Sequence, residues 1–131
     1  MDEIKFKPIG YIKSEFEDLT QMPKSSFDSM DNEAKLIIDD KYLEAMSDIK
    51  VDEEYVVIFY FHKSKGFKQK VPLKGCGPIT GLFSTHAPNR PNPIGVSTII
   101  IKKVEENIIT FNGVDMLNDT PVLDLKKIFR K

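Results

Sequence analysis

Short apolar runs, several of them alternating with polar residues, recur along the chain and predict strands far more often than helices. The strongest is YVVIFYF at residues 55–61, a continuous β-branched and aromatic run that is typical of a buried strand. The segment 4–12 alternates in part and is interrupted by Pro8 and Gly10, so it predicts an edge strand with a bend. Strands are expected at residues 4–12, 34–38, 55–61, 79–84, 96–104, 108–112 and 121–125, with a turn at 105–107 and loops at 15–30 and 113–118.

Helical spacing is confined to residues 39–46, where acidic residues at the start are followed by Tyr42, Leu43 and Met46. This pattern predicts one or two helical turns. With 131 residues, of which 40% are hydrophobic, the chain has enough material for one core. Numerous short strands usually close into a barrel. We therefore predict a mainly β fold, a small single-domain β-barrel spanning residues 1–131 with at most one short helix.

Residues 81–97, reading GLFSTHAPNRPNPIGVS, place three prolines around Arg90 and Asn92 between two predicted strands. Each proline fixes its own φ and pushes the preceding residue toward extended conformations. The segment is therefore expected to be a rigid, exposed loop, which presents polar side chains at low entropic cost and suits a binding site. The same features suit a stiff connector between strands, and the spacing alone does not decide between the two.

Charge is divided unevenly along the chain. Residues 1–66 carry nine Lys or Arg against fifteen Asp or Glu, residues 67–131 carry ten against five, and the window 55–104 holds no acidic residue. Such a block creates a local positive field that attracts phosphate groups. A solvated lysine-rich loop is the alternative, because lysines beside a strand edge also oppose aggregation. The cationic residues of the window are Lys63, Lys65, Lys68, Lys70, Lys74, Arg90, Lys102 and Lys103.

Several chemistries are excluded by what the sequence lacks. No glycine-rich segment follows a strand and opens a helix, which argues against a Rossmann unit or a P-loop. His62 and His86 have no cysteine or carboxylate at ligand spacing, so no metal is expected. The single cysteine, Cys76, cannot form an internal disulfide, which agrees with a reducing compartment. No apolar run approaches the roughly 20 residues of a membrane span and no signal pattern opens the chain, so we expect a cytoplasmic protein without membrane contact.

Four motifs together carry a resemblance to a known family. They are PIGYI at residues 8–12, GLFST at 81–85, RPNPIG at 90–95 followed by Ser97, and TPVLDLK at 120–126. In these the chain resembles the TsaA-like family of tRNA methyltransferases (TrmO) from about Lys5 to Lys126, and the RPNPIG motif is highly specific. The resemblance implies a small β-barrel acting as a homodimer, with S-adenosylmethionine as methyl donor. It implies as substrate the threonylcarbamoyl-adenosine beside the anticodon of certain tRNAs, methylated on its exocyclic nitrogen.

The same resemblance implies a cofactor pocket built from four separate segments. The matching residues are Pro23, Lys24, Ser25, His62, Lys63, His86, Asp115, Leu117, Asn118, Asp119 and Thr120. For RNA, the residues implied by the positive window and the proline loop are Lys65, Lys68, Lys70, Arg90 and Asn92.

This chain departs from the family pattern at several of these positions. The family usually has Arg-Ser where residues 86–87 are His-Ala, Pro-Arg-Gln where 23–25 are Pro-Lys-Ser, and Asp-Gly-Thr-Pro where 118–121 are Asn-Asp-Thr-Pro. After Lys126 the usual Pro-Tyr is Lys-Ile, and longer members carry a further C-terminal domain. A different cationic contact or an altered substrate is a consequence left open by these departures.

Methyl transfer from a sulfonium requires alignment of nucleophile, carbon and sulfur rather than a covalent nucleophile. The urea-like nitrogen that would attack is poorly basic, so a nearby base would assist the loss of its proton. His62, His86 and Asp115 are the candidates for this base, and the sequence does not rank them. Arg90 is open to two roles, phosphate binding or pinning of the proline loop. The alternative to an enzyme is a non-catalytic barrel module that binds RNA or a small anionic ligand.

Overall fold

The computed structural model describes residues 2–15, 32–113 and 115–130. Among the described residues, no helix has the length and apolar character needed to cross a membrane. The strands are β1 (Gly10–Lys13), β2 (Glu33–Ile38), β3 (Glu54–Tyr60), β4 (Lys70–Pro72), β5 (Ile79–Gly81), β6 (Ile94–Glu105), β7 (Ile108–Asn112) and β8 (Pro121–Lys127), and the 3-10 helices are Asp40–Met46, Leu73–Gly75 and Leu82–Ser84.

Six of these strands form a closed ring in the order β1-β2-β7-β6-β3-β8. All neighbours are antiparallel, and β8 pairs back onto β1. The mainly β prediction is confirmed, and the sheet that the sequence predicts as a small barrel is this six-stranded ring. Among the described strands, β4 and β5 pair only with each other and form a separate hairpin.

The core fills the ring with alternate side chains of each strand. In β3 the buried residues are Tyr55, Val57 and Phe59, whereas the residues between them are only partly buried. The prediction of a buried strand at 55–61 is confirmed for one face of β3, because only one face of a ring strand points to the core. The largest fully buried side chains are Phe111, Ile12, Leu36, Ile99, Ile101, Ile109, Met116, Val57 and Val122.

The first predicted strand also needs correction. Strand β1 starts at Gly10 rather than at residue 4, and it is paired on both sides, so it is not an edge strand. Gly10 lies so close to β2 that a Cβ there would sit 2.3 Å from the carbonyl oxygen of Ile37. The close approach explains the glycine, which the sequence showed only as a bend.

The remaining predictions are mostly confirmed, with shifted ends. The expected helical turns form the 3-10 helix Asp40–Met46, whose preceding residue Asp39 accepts a hydrogen bond from Lys41 N. The predicted strand 79–84 ends at Gly81 and continues as a 3-10 turn. Strand β4 was missed because it is three residues long and contains a proline. Most of the loop expected at 15–30 lies outside the described residues.

Candidate functional site

A small cleft opens at the end of the ring where β3 finishes. Its walls come from three places: the turn after β3, the loop that leads into β8, and the proline loop. Closure of the ring is what brings them together, because β3 is hydrogen-bonded to both β6 and β8. The cleft is lined by Phe59, Phe61, His62, Lys63, Ser64, Pro88, Met116, Leu117 and Thr120.

Two aromatic rings form the apolar wall of this cleft. Phe59 and Phe61 pack edge to face, with ring centroids 5.0 Å apart and an interplanar angle of 75°. Gly95 pairs with Phe59 in the ladder between β3 and β6. A Cβ at Gly95 would lie 2.4 Å from the Phe59 ring and 2.7 Å from the Phe61 ring. The glycine of RPNPIG is therefore required by the aromatic wall.

The proline loop is fastened to the turn that carries His62. Ser64 Oγ lies 2.7 Å from Asn89 Oδ1, which also accepts a hydrogen bond of 3.2 Å from Lys65 N. At the other end of the loop, Phe61 N donates to the carbonyl oxygen of Pro93 at 2.8 Å. These bonds hold the loop against the edge of the cleft.

Arg90 pins the proline loop from inside. Its Nη1 donates to the carbonyl oxygens of Thr85 at 2.9 Å and Ala87 at 3.0 Å. Of the two roles that the sequence left open for Arg90, the structure shows this one. Asn92 is exposed, and its carbonyl oxygen accepts from Ile94 N at 2.7 Å as β6 begins.

The loop before β8 makes a tight turn at residues 117–120. Thr120 closes it, because its Oγ1 donates to the carbonyl oxygen of Leu117 at 2.7 Å. Asp119 has a φ of 66°, in the left-handed region where glycine is the usual residue. Asp119 stands where the family usually has glycine, and its backbone adopts the left-handed conformation that favours glycine. Its N–H donates to the Ile12 carbonyl oxygen at 2.7 Å, and its carboxylate forms an ion pair with Lys13.

Electrostatics favour a neutral imidazole at the cleft. Partial burial, together with the nearby positive charge of Lys63, lowers the pKa of His62 below its ordinary value of 6.5, while Asp119 acts in the opposite direction. The pKa of Asp119 is itself lowered, chiefly by its hydrogen bond and ion pair with Lys13. His62 is therefore uncharged at neutral pH beside a carboxylate that is ionised.

The cleft gathers four of the predicted cofactor residues, His62, Lys63, Leu117 and Thr120. Asn118 lies in the same tight turn and accepts a hydrogen bond from Ser14 N at 3.1 Å. Asp119 belongs to this turn as well. The predictions at Pro23, Lys24 and Ser25 lie outside the described residues.

Two of the three candidate bases lie outside this lining set. Asp115 is half-buried and accepts a hydrogen bond of 2.6 Å from Ser97 Oγ. His86 is exposed on the proline loop. The structure therefore brings only His62 of the three into the cleft, a ranking that the sequence did not provide.

Sequence reasoning missed Phe59, Phe61, Ser64, Pro88 and Met116 as lining residues. An apolar residue near a strand end carries no local signal that separates a cleft wall from the core. Phe61 and Ser64 lie within two residues of His62 in the sequence, and Pro88 lies on the proline loop, which were the only signals for any of the five.

The positive window divides into two parts in the structure. Lys102 pairs with Asp52 at 3.8 Å, and Lys103 pairs with Glu105, so these two lysines meet acidic residues just outside the window. Lys65, Lys68 and Lys70 are exposed on or before the β4–β5 hairpin. Across residues 2–15, 32–113 and 115–130, no group of three or more His, Cys, Asp or Glu side chains is placed to hold a metal ion.

Comparison with known proteins assigns the family. The model of the tRNA-methyltransferase O N-terminal domain (TrmO_N) matches residues 11–131. The chain belongs to this family. An S-adenosyl-L-methionine-binding protein of Archaeoglobus fulgidus is 33% identical to the TrmO_N chain described here over 121 residues, which cover 92% of this chain and 86% of the relative.

Longer proteins contain the same unit. A tRNA (adenine(37)-N6)-methyltransferase of Rattus norvegicus is 33% identical over 127 residues, which cover 92% of this chain and 30% of the rat protein. A crystal structure of TrmO superimposes with a TM-score of 0.82 at 28% identity, covering 98% of this chain and 58% of that one. This TrmO_N chain therefore spans a little over half of the solved TrmO chain.

Proposed function

We propose that this protein is an S-adenosylmethionine-dependent tRNA methyltransferase whose cofactor binds in the cleft beside His62. The observation that carries the proposal is the joining, in one cleft, of an aromatic wall, the neutral His62 and Lys63. The names of the fulgidus and rat relatives, which specify S-adenosylmethionine binding and tRNA adenine methylation, supply the reaction class.

The residues of the cleft fit such a cofactor chemically. Phe61, backed by the buried Phe59 and Leu117, offers apolar surface for a planar base, and Lys63 offers a positive charge for a carboxylate. A neutral His62 does not repel a sulfonium, and the ionised Asp119 nearby favours positive charge. When bound, S-adenosylmethionine supplies a methyl group made electrophilic by its sulfonium.

Within this site His62 is proposed as the base. Its unprotonated ring nitrogen accepts the proton that the attacking nitrogen loses, and the low pKa keeps that nitrogen available at neutral pH. The aromatic wall forms the apolar side of the cleft, and the proline loop is hydrogen-bonded to the turn that carries His62. Alignment by these fixed groups is the main contribution expected of the protein.

The proposed substrate is the threonylcarbamoyl-adenosine next to the anticodon of tRNA, methylated on its exocyclic nitrogen. Support comes from the motif resemblance and from the name of the rat relative, which specifies adenine 37 and its N6 atom. Lys65, Lys68 and Lys70 are proposed to contact the phosphates of the tRNA.

We further propose that the protein acts as a homodimer. The outer face of the β3–β6 ladder supports this, because it pairs Ile58 with Val96 and Tyr60 with Ile94. These side chains form an apolar strip in which Val96 is 58% exposed and Tyr60 is 41% exposed. Light scattering should give twice the monomer mass, and Val96→Asp should give the monomer. A monomeric wild-type protein would remove this part of the proposal.

Calorimetric titration with S-adenosylmethionine tests the cofactor assignment. Lys63→Ala should weaken binding several-fold because it removes the charge that faces the carboxylate. Lys50→Ala is the matched control, since Lys50 is exposed in the turn that precedes β3, at the opposite end of that strand from His62. Equal affinities for wild type and both variants would place the cofactor elsewhere, and no binding at all would reject the cofactor.

A further inference from the structure

The β4–β5 hairpin forms an arm beside the ring. We call residues 65–83 the arm. Within the part of the chain that the structure describes, its two strands pair only with each other, in the register Lys70 with Gly81, Val71 with Thr80, and Pro72 with Ile79. The arm therefore has a backbone ladder of its own, separate from that of the ring.

The two faces of the arm differ. Neighbouring residues of a strand point to opposite faces, so Lys70, Pro72 and Ile79 share one face and Val71 and Thr80 share the other. Val71 and Thr80 are half-buried, whereas the first face is exposed, with Ile79 at 67% exposure. The arm therefore turns an apolar side chain and a lysine toward solvent on the same face.

Two phenylalanines of the arm are also exposed. Phe67 is 50% exposed and Phe83 is 81% exposed. Leu82 N donates to the carbonyl oxygen of Gln69 at 2.9 Å, so the two chains of the arm still run side by side one step beyond the ladder. This contact places Leu82, the residue before Phe83, beside Gln69, the residue after Lys68.

The charge of the arm selects the kind of partner. The arm contains Lys65, Lys68, Lys70 and Lys74 and no acidic residue. Lysine is depleted in interfaces between proteins. Lysines combined with exposed aromatic rings are typical of surfaces that bind single-stranded nucleic acid, where the cations meet phosphates and the rings stack on bases.

We propose that the arm binds a single-stranded segment of RNA, with its lysines on the phosphates and Phe83 stacked on a nucleobase. The proposal rests on the function proposed above, since it describes how the RNA substrate is held outside the cleft. It goes further because it assigns to Phe83 a contact with a nucleobase, whereas a purely electrostatic contact would involve only the phosphates.

The test measures the affinity of the full chain for two probes without cofactor, by fluorescence anisotropy across a range of salt concentrations. One probe is a short single-stranded RNA, and the other is the same ribose-phosphate backbone without bases. Phe83→Ala should weaken RNA binding about 5- to 100-fold and leave the abasic probe unaffected, while Phe83→Trp retains affinity. The matched control is Phe129→Ala, because Phe129 is equally exposed, at 83%, but follows β8 at the far end of the ring.

A second variant set tests the lysines. Replacing Lys65, Lys68 and Lys70 together by Ala should reduce the slope of log affinity against log salt by about 2 for both probes. An unchanged slope would overturn the lysine part of the proposal, and equal RNA affinities of Phe83→Ala and wild type would overturn the stacking part.

Two other results separate the possible failures. If Phe83→Ala converts a dimer into a monomer on light scattering and keeps RNA affinity, the arm is a contact between copies and the proposal is overturned. Titration with S-adenosylmethionine in the absence of RNA tests the proposed function by itself. Cofactor binding without RNA binding would reject the arm alone, and RNA binding without cofactor binding would reject the function alone.

Discussion

Ser64 Oγ and Asn89 Oδ1, 2.7 Å apart, join the turn after β3 to the proline loop. Asn89→Ala removes this acceptor and also the one used by Lys65 N, and leaves the turn that carries His62 with the bond from Ser64 Oγ to the Pro88 carbonyl oxygen and the bond from Phe61 N to the Pro93 carbonyl oxygen. A hydrogen bond of this kind contributes about 0.5–1.5 kcal/mol. We expect cofactor affinity to fall about 2- to 10-fold, as measured by calorimetry.

The matched variant at this position is Asn89→Asp, which keeps an acceptor oxygen and should retain most of the affinity. Ser64→Ala combined with Asn89→Ala should lose less than the sum of the two single losses, because both remove the contact between these two side chains. Fully additive losses would show that the two residues act independently.

Replacement of Gly95 tests the aromatic wall. Gly95→Ala should lower the free energy of unfolding by about 1–3 kcal/mol, because its Cβ would overlap the rings of Phe59 and Phe61. Gly81→Ala is the control, since no atom lies within 4 Å of a Cβ there, and its effect should stay within about 0.5 kcal/mol. Urea unfolding measures both, and equal stabilities of the two variants would contradict the packing described.

The titration of His62 gives a third prediction, with a definite sign. NMR should find its pKa below the ordinary 6.5, and Asp119→Asn should lower the pKa further because it removes a neighbouring negative charge. If His62 is the base, the methylation rate should rise with pH through this lowered pKa, and the variant's profile should shift to lower pH. A pKa at or above 6.5 would contradict the electrostatic description.

The same shift affects stability. The unfolded chain binds a proton at His62 more readily than the folded chain does. The free energy of unfolding is therefore higher when His62 is neutral. That contribution is lost as the pH falls below about 6.5 toward the folded pKa. His62→Gln should flatten this part of the curve of stability against pH, measured by denaturation at several pH values.

Arg90 provides a prediction that separates its two roles. Arg90→Ala should destabilise the proline loop, because hydrogen bonds from a charged group contribute about 1.5–3 kcal/mol, and should weaken cofactor binding through the loop. If pinning is its main role, the salt dependence of tRNA binding should not change. A slope reduced by about 0.7–0.9 would instead identify a direct phosphate contact.

The sequence predicted the β class and the run at 108–112 with its preceding turn. These succeeded because strand alternation is a local feature of the chain. His62 was implied as a cofactor residue only by the family resemblance, and the structure shows that it lines the cleft. The separation of His86 and Asp115 from the cleft was not predictable, since it depends on how two loops cross the end of a closed ring. Asp119 illustrates the same limit, because its left-handed φ becomes visible only in the folded turn.

The arm was also only half visible in the sequence. The lysines of the window were plain from composition, whereas the pairing of β4 with β5 and the exposure of Phe83 required the structure. Elsewhere in the window, the sequence did not show which lysines are paired with acidic residues. Lys102, for example, forms an ion pair with Asp52 between a strand and a turn, which no local pattern indicates.

Methyl transfer itself is the decisive measurement. The purified protein should be incubated with S-adenosylmethionine and tRNA that carries threonylcarbamoyl-adenosine, and the nucleosides then analysed by mass spectrometry. We expect a threonylcarbamoyl-adenosine heavier by one methylene unit, formed by the wild type and strongly reduced in His62→Ala. The proposed reaction would be contradicted if the wild-type protein bound both S-adenosylmethionine and tRNA but the threonylcarbamoyl-adenosine gained no methyl group.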